Sequence, residues 1–158
     1  MDQQVSPAAI IAPMEELHGY FIDELKPDMT AVYVRTVTET DIVQYSQISG
    51  DDNPLHVNED FAKQTIFKGR IAHGMLTGGY ISAVLGTKLP GPGSAYLNQT
   101  LNFRAPVRIG DTVQTRVTIK DVELDTNNVI CDLVCSIGEK VVIDGFATLW
   151  VPNRRRKD

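Results

Sequence analysis

Residues 71–87, "IAHGMLTGGYISAVLGT", restrict the fold most strongly, because this stretch contains no Asp, Glu, Lys or Arg. It is short for a membrane span and includes His73, Ser82, two threonines and four glycines. It therefore predicts a helix that is apolar all round and buried on every side. The sequence "PGPG" at residues 90–93 ends this helix.

Segments with strand composition surround the predicted helix. They are rich in β-branched residues and cover residues 30–38, 95–104, 112–124, 128–137 and 140–151. Four consecutive antiparallel strands can curl around one buried helix and cover its apolar surface. We therefore predict an α+β fold, an antiparallel sheet wrapped around a long, largely apolar central helix. One such sheet leaves an edge open, which predicts at least a homodimer.

Two short helices are predicted between the first strand and the central helix. Thr38 or Thr40 can cap the first helix, which ends at Gly50, and Asn58 can cap the second. The apolar side chains expected to pack inward are Ile42, Tyr45, Ile48 and Phe61.

The composition is that of one soluble domain. The chain has 158 residues, of which 42% are apolar, and a net charge of −5 that argues against a nucleic-acid-binding protein. We expect an irregular N-terminal arm at residues 1–18, one domain at residues 19–152 and a solvated basic tail at residues 153–158. Cys131 and Cys135 lack metal or redox spacing and are expected to be buried free thiols. These thiols and the lack of a signal peptide predict a cytoplasmic location.

The loop "SGDDNPLH" at residues 49–56 collects two carboxylates, an amide and an imidazole. These residues are good turn formers, so a purely structural loop with a satisfied core histidine is the simpler interpretation. Pro54, however, forces Asn53 into an extended conformation, so that the chain can fold back and bring Asp51 and His56 toward one point. The loop is therefore a candidate for one half of a reaction site.

The start of the central helix supplies the second half. If Ala72 or His73 begins this helix, the amide of Gly74 is one of the unpaired N–H groups at its positive end. Such a group can stabilise a developing oxyanion, and an Asp and a His beside it complete a general acid–base site. We predict no metal, because the candidate ligands His56, Asp60 and His73 come without an HExxH pattern or cysteine spacing.

The motifs "SGDDNPLH", "AHGM" and "RAPVRIGD" together resemble those of the (R)-specific enoyl-CoA hydratases, the MaoC-like dehydratase family. The resemblance runs from about residue 41 to residue 113. It implies a hot-dog fold and a lyase of fatty acid metabolism that reversibly hydrates trans-2-enoyl-CoA to (R)-3-hydroxyacyl-CoA without a cofactor. The implied partner is an acyl-CoA or acyl-carrier thioester.

The resemblance also implies roles for individual residues. Asp51 and His56 form the catalytic pair, the Gly74 amide binds the thioester oxygen, and Asn53 supports the loop. Two alternatives stay open, a hot-dog acyl-CoA thioesterase and a non-catalytic acyl-thioester-binding domain.

Binding of the rest of the substrate is predicted less specifically. Ser82 and Leu85 on the central helix are candidates for an acyl pocket, although ordinary core packing explains both equally well. The candidate cations for the CoA diphosphate are Arg70, Lys88, Arg104 and Arg108, for which surface solvation is an equal explanation.

Overall fold

The computed structural model describes residues 12–154, which form one antiparallel sheet and several helices. The strands are β1 (Thr30–Thr36), β2 (Ala95–Phe103), β3 (Thr112–Glu123), β4 (Asn128–Ile137) and β5 (Lys140–Trp150). They lie in the order β1-β3-β4-β5-β2, so β1 and β2 are the two edges. All five predicted strands are confirmed to within two residues at each end.

The helices lie before the second strand. They are α1 (Met14–Leu17), α2 (Glu39–Ser49), α3 (Pro54–Val57), α4 (Glu59–Lys63) and α5 (Gly74–Thr87). Residues 12–18 of the predicted irregular arm thus contain one helical turn, α1. The rest of that arm and residues 155–158 of the basic tail lie outside the described residues, and the domain boundaries stay a prediction.

The core lies between α5 and one face of the sheet. Buried and exposed side chains alternate along β3 and β4, as expected for strands with one covered face. On the helix, the side chains that join this core are Tyr80, Ile81, Val84 and Leu85. The predicted α+β architecture with a central helix is therefore confirmed.

The central helix is not buried on every side, however. Met75 is 55% exposed, and Gly79, Ser82 and Gly86 are exposed with it. Because these positions recur every three or four residues, they form one stripe along α5. The prediction of complete burial is wrong for a single chain, since one sheet covers only the opposite side of the helix.

The short helices are capped as predicted but pack differently. Thr38 caps α2 and Asn58 caps α4 through their side chains. Ile48 is 87% exposed and Phe61 is also exposed, so the prediction that both pack inward is wrong. In α4 the buried side chain is Ala62, because that face of the helix turns toward the core.

The two cysteines are buried free thiols on the core face of β4, as predicted. Burial raises the pKa of the Cys131 thiol to about 12, so the thiol is protonated at neutral pH. Among residues 12–154, no helix has the combination of length and apolarity needed to cross a membrane.

The N-terminus of α2 is anchored to β1 through Asp41. Its carboxylate accepts a hydrogen bond from the Thr38 N–H at 2.9 Å and pairs with the Arg35 guanidinium at 2.5 Å. Burial opposes ionisation of Asp41, but the hydrogen bonds from Arg35 and Thr38 outweigh burial and lower the pKa of this carboxyl. This anchor fixes α2, which leads directly into the loop at residues 49–56.

Asp41→Asn is expected to lower the free energy of unfolding by about 1–2 kcal/mol at pH 7, because a cap and an ion pair are both weakened. The pKa of Asp41 is lower in the folded state, so its stabilisation is present above about pH 4 and is lost as the pH falls through the folded value. Urea unfolding across this pH range measures the difference. Asp125→Asn, at an exposed turn position, serves as the control. An equal effect of both variants at pH 7 would contradict the anchor.

Candidate active site

A cavity of about 490 Å³ opens between the loop at residues 49–56, the start of α5 and the segment after β2. Its polar lining includes Asp51, His56, His73, Thr77 and Arg104. Its apolar lining includes Phe67, Met75, Phe103, Val107 and Ile143. The cavity therefore places ionisable groups against an apolar wall, as in most small-molecule sites.

Local hydrogen bonds shape the loop that carries Asp51. Gly50 ends α2 with φ 77°, a left-handed conformation that suits glycine. The Ser49 hydroxyl then accepts a hydrogen bond from the Asp51 N–H at 3.1 Å. Asn53 caps α3, because its side-chain oxygen accepts from the Leu55 N–H at 3.0 Å. The predicted supporting role of Asn53 thus has a geometric counterpart in this cap.

His56 lies on α3 and is buried at the wall of the cavity. Its Nδ1 is 2.8 Å from the carbonyl oxygen of Ile71. Because a carbonyl can only accept a hydrogen bond, the proton of the neutral ring lies on Nδ1 and the lone pair on Nε2. His56 therefore has the tautomer of a general base whose accepting atom is Nε2.

Arg70 holds the backbone of His56 in place. Its Nε donates to the His56 carbonyl at 2.5 Å, and its two terminal nitrogens pair with the carboxylate of Glu39, each at 2.9 Å. Glu39 is in the first turn of α2. One guanidinium thus joins the start of α2 to the turn that carries His56.

Gly74 is the first residue of α5, so its N–H has no acceptor within the helix. A Cβ atom at this position would be 2.6 Å from Cε1 of Phe103. Only glycine therefore fits between the helix start and this aromatic ring without a shift. This amide, which is unpaired within the helix, and the positive end of the helix dipole lie at the cavity, where they can stabilise negative charge on a ligand.

The predicted catalytic side chains lie near one another. Asp51, His56 and His73 each offer a nitrogen or oxygen atom within 4.8 Å of the others. Such a set could be a metal site. The rings of His56 and His73 have centroids 4.0 Å apart and planes inclined by 32°, and one nitrogen of each ring is already within hydrogen-bond distance of a backbone carbonyl. That no metal binds stays a prediction.

The chain is similar to known proteins in both sequence and structure. Residues 23–138 match the protein family described as "MaoC like domain". The (R)-specific enoyl-CoA hydratase of Rhodospirillum rubrum is 49% identical over 140 residues, which cover 89% of this chain and 97% of that protein. The 3-hydroxybutyryl-CoA dehydratase of Methylorubrum extorquens is 43% identical over 145 residues, or 92% of each protein.

The chain belongs to the MaoC-like family.

A solved structure agrees with this assignment. The unliganded R-hydratase PhaJ1 from Pseudomonas aeruginosa gives a TM-score of 0.80 at 38% identity, covering 86% of this chain and 88% of that chain. The fold is accordingly the hot-dog fold predicted from the sequence.

Two residues predicted for the acyl pocket lie away from the cavity of this MaoC-like domain. Leu85 is 1% exposed and belongs to the core. Ser82 is on the exposed stripe of α5 and lines a separate cavity of about 360 Å³ with Tyr96 and Leu101. The reason is distance along the helix, because Leu85 is eleven residues, or about 16 Å, beyond Gly74.

Most of the predicted CoA-binding cations are engaged elsewhere. Arg70 holds His56, as described above, and Arg108 donates to the carbonyls of Phe67 and Arg70. Lys88 donates to the carbonyl of Val32 at the edge of β1. Arg104 alone among the four lines the cavity, where it pairs with Asp144 at 2.8 Å. It is thus the one predicted cation that a ligand in this cavity would meet.

The aromatic wall of the cavity has no counterpart among the residues predicted from the sequence. Phe67 and Phe103 lie more than thirty positions apart in the sequence and meet at the cavity through the fold. The position of Phe103 next to the "RAPVRIGD" motif is the only local signal that could have indicated it.

Arg70→Lys is expected to lower the free energy of unfolding by about 1–2 kcal/mol. Lysine cannot form the bidentate ion pair with Glu39 and also donate to the His56 carbonyl. Thermal or urea denaturation measures this loss. The control is Arg116→Lys at an exposed position on β3, for which we expect no change. Equal stability of the two variants would show that the contacts of Arg70 contribute nothing.

Proposed function

We propose that this protein catalyses the reversible hydration of a trans-2-enoyl-CoA to the (R)-3-hydroxyacyl-CoA. The observation that carries the proposal is the convergence of Asp51, His56 and the Gly74 N–H on one cavity with an apolar wall. Such a cavity offers a general base, a carboxylate and an oxyanion donor, the three groups that hydration of a conjugated thioester requires.

The proposed reaction begins with water held by the pair Asp51 and His56. Nε2 of His56 carries a lone pair and can take a proton from the water as its oxygen bonds to Cβ of the substrate. The electrons of the double bond then move onto the thioester oxygen, where the N–H of Gly74 stabilises the enolate. The pair returns one proton to Cα, so the net change is the addition of one water molecule. The apolar wall accommodates the acyl chain, and Arg104 at the cavity is the candidate contact for the CoA diphosphate.

The names of the relatives support the substrate class and the configuration. The Rhodospirillum rubrum relative is named as an (R)-specific enoyl-CoA hydratase and the Methylorubrum extorquens relative as a 3-hydroxybutyryl-CoA dehydratase. Both names describe the same chemical step in opposite directions. An acyl-carrier thioester presents the same reacting group and is the second candidate substrate. The cytoplasmic location stays a prediction.

Asp51→Asn and His56→Gln are expected to lower kcat for crotonyl-CoA hydration by at least about 100-fold, because each removes a group that moves or orients a proton. Loss of the absorbance of the conjugated thioester measures the rate, and chiral analysis of the product tests the (R) configuration. The matched control is Asp52→Asn, which removes the neighbouring exposed carboxylate and should leave kcat unchanged.

Different results separate the alternatives. Release of free thiol from a saturated acyl-CoA, detected with a thiol reagent, would identify a thioesterase instead. Binding of enoyl-CoA without turnover by the wild-type protein would identify a non-catalytic binding domain. Near-normal hydration by both Asp51→Asn and His56→Gln would refute the assigned pair.

We further propose that two copies of the chain associate through β2. Lys88 Nζ donates to the carbonyl of Val32 on the β1 edge at 2.7 Å, whereas β2 lies beside the exposed stripe of α5. Leu97 on β2 is 56% exposed and Met75 on the stripe is 55% exposed, and both line the same cavity. Pairing of β2 with a second copy would cover both the open edge and this apolar surface.

Leu97→Lys is expected to shift the protein from dimer to monomer, because it places a charge in the proposed interface. Sedimentation or light scattering at several concentrations gives the mass. Leu124→Lys is the matched control, since Leu124 is 58% exposed in the turn after β3, away from β2. A wild-type monomer at all concentrations, or equal dissociation of both variants, would rule out association through β2.

A further inference from the structure

His73 is the buried histidine of the cavity to which the proposed reaction assigns no role. It immediately precedes α5, next to Gly74, and its exposed fraction is 2%. Its side chain does not cap the helix. Instead, its Nε2 is 2.9 Å from the backbone carbonyl oxygen of Asp51, twenty-two residues earlier in the chain. The side chain therefore joins the start of α5 to the loop that carries the proposed catalytic carboxylate.

The hydrogen bond fixes the protonation of the ring. The carbonyl of Asp51 can only accept, so Nε2 of His73 must carry the proton. Nδ1 is buried and has no hydrogen-bond partner among the described residues. A second proton on Nδ1 would create a buried, unpaired cation, which is costly. Burial, with His56 close by, also lowers the pKa of His73, so the neutral ring is the stable form at neutral pH.

The His73 ring also lies close to two other rings. Its centroid is 4.0 Å from the centroid of His56 and 4.8 Å from the centroid of Tyr45. Tyr45 is in α2 and His56 in α3. His73 thus contacts α2 and α3, which lie on either side of Asp51 in the sequence, while it holds the carbonyl of Asp51.

We propose that His73 is a positioning residue for the reaction: its neutral ring, protonated on Nε2, holds the Asp51 backbone and supports the His56 ring, and so sets the distance between the two reacting side chains. The hydrogen bond to the carbonyl supplies the greater part of this effect, because the packed rings alone leave the loop backbone free to shift along them. The proposal rests on the proposed hydration for its kinetic readout.

The expected signature is a loss of kcat without a loss of binding. A side chain displaced by about 1 Å can cost up to about 100-fold in rate, whereas substrate affinity comes mainly from the apolar wall and the thioester contacts. A side chain that merely filled space would instead lower the stability and leave the kcat of the folded fraction unchanged.

The kinetic test compares His73→Phe with His73→Gln. Phenylalanine keeps a ring and loses the donor, so we expect kcat for crotonyl-CoA to fall at least about tenfold with KM changed less than about twofold. Glutamine loses the ring but can present an N–H near the place of Nε2, and it should recover kcat to within about threefold of wild type. Normal kcat in His73→Phe, or an equal fall in both variants, would overturn the proposal.

His18→Phe is the matched control. His18 also stacks on an aromatic ring, Phe21, with centroids 4.1 Å apart, and its Nδ1 is 2.8 Å from the carbonyl of Gly19. It does not line the cavity. The kcat of His18→Phe should match that of wild type. An equal fall in His18→Phe and His73→Phe would show a general effect of replacing a packed histidine and would overturn the proposal.

A second test does not need activity or the folding of His73→Phe. The sequence has three histidines, so the ¹H–¹⁵N correlations of their imidazoles can be assigned with His18→Phe and His73→Gln. The wild-type protein should show His73 with a protonated Nε2 and an unprotonated Nδ1 at neutral pH. The opposite tautomer or a doubly protonated ring would overturn the proposal. If the wild type shows this tautomer but does not hydrate enoyl-CoA, the proposed function fails while the arrangement of His73 stands.

Discussion

Two hydrogen bonds between the loop at residues 49–56 and the approach to α5 hold the candidate site together. In one, the ring of His56 in α3 donates to the carbonyl of Ile71. In the other, the ring of His73 donates to the carbonyl of Asp51. Each segment thus contributes one imidazole that bonds the backbone of the other, and the centroids of the two rings are 4.0 Å apart. Because both acceptors are carbonyls, both rings have a defined tautomer, and the position of each reacting group depends on both bonds.

The electrostatic character of the site follows from this arrangement. The amide of Gly74 comes directly after His73, so the oxyanion donor and the positioning ring are adjacent along the chain. α5 contains no charged residue, so the helix itself contributes only its dipole to the field at its start. Arg104, a cation on the cavity lining, is paired with Asp144. A developing negative charge on a ligand would thus meet a backbone amide in a largely apolar setting, where such a contact is strongest.

The sequence predicts the strands and helix caps well because their signals are local. The caps at Thr38 and Asn58 and the helix end at Gly50 each depend on a few neighbouring residues. The loop and the helix start are close in sequence, which is why Asp51, His56 and Gly74 could be placed together in advance. Phe67 and Phe103 could not, since their meeting depends on the path of β2 across the sheet. The errors at Ile48 and Phe61 have the same origin, because an apolar side chain on a short helix does not indicate which of its faces the rest of the chain covers.

The exposed stripe of α5 shows what hydropathy can and cannot specify. A helix without charged residues is predicted to be buried all round, yet its own sheet covers only the side of Tyr80, Ile81 and Val84. Hydropathy reports that a surface avoids water, but it does not report whether the same chain or another copy covers it. The stripe carries glycines at positions 79 and 86, which leave room for a close approach of another backbone. It also lies beside β2, an edge of the sheet. The single chain thus has an open strand edge and an uncovered apolar helix face. These two surfaces adjoin each other, and one contact with a second copy would cover both.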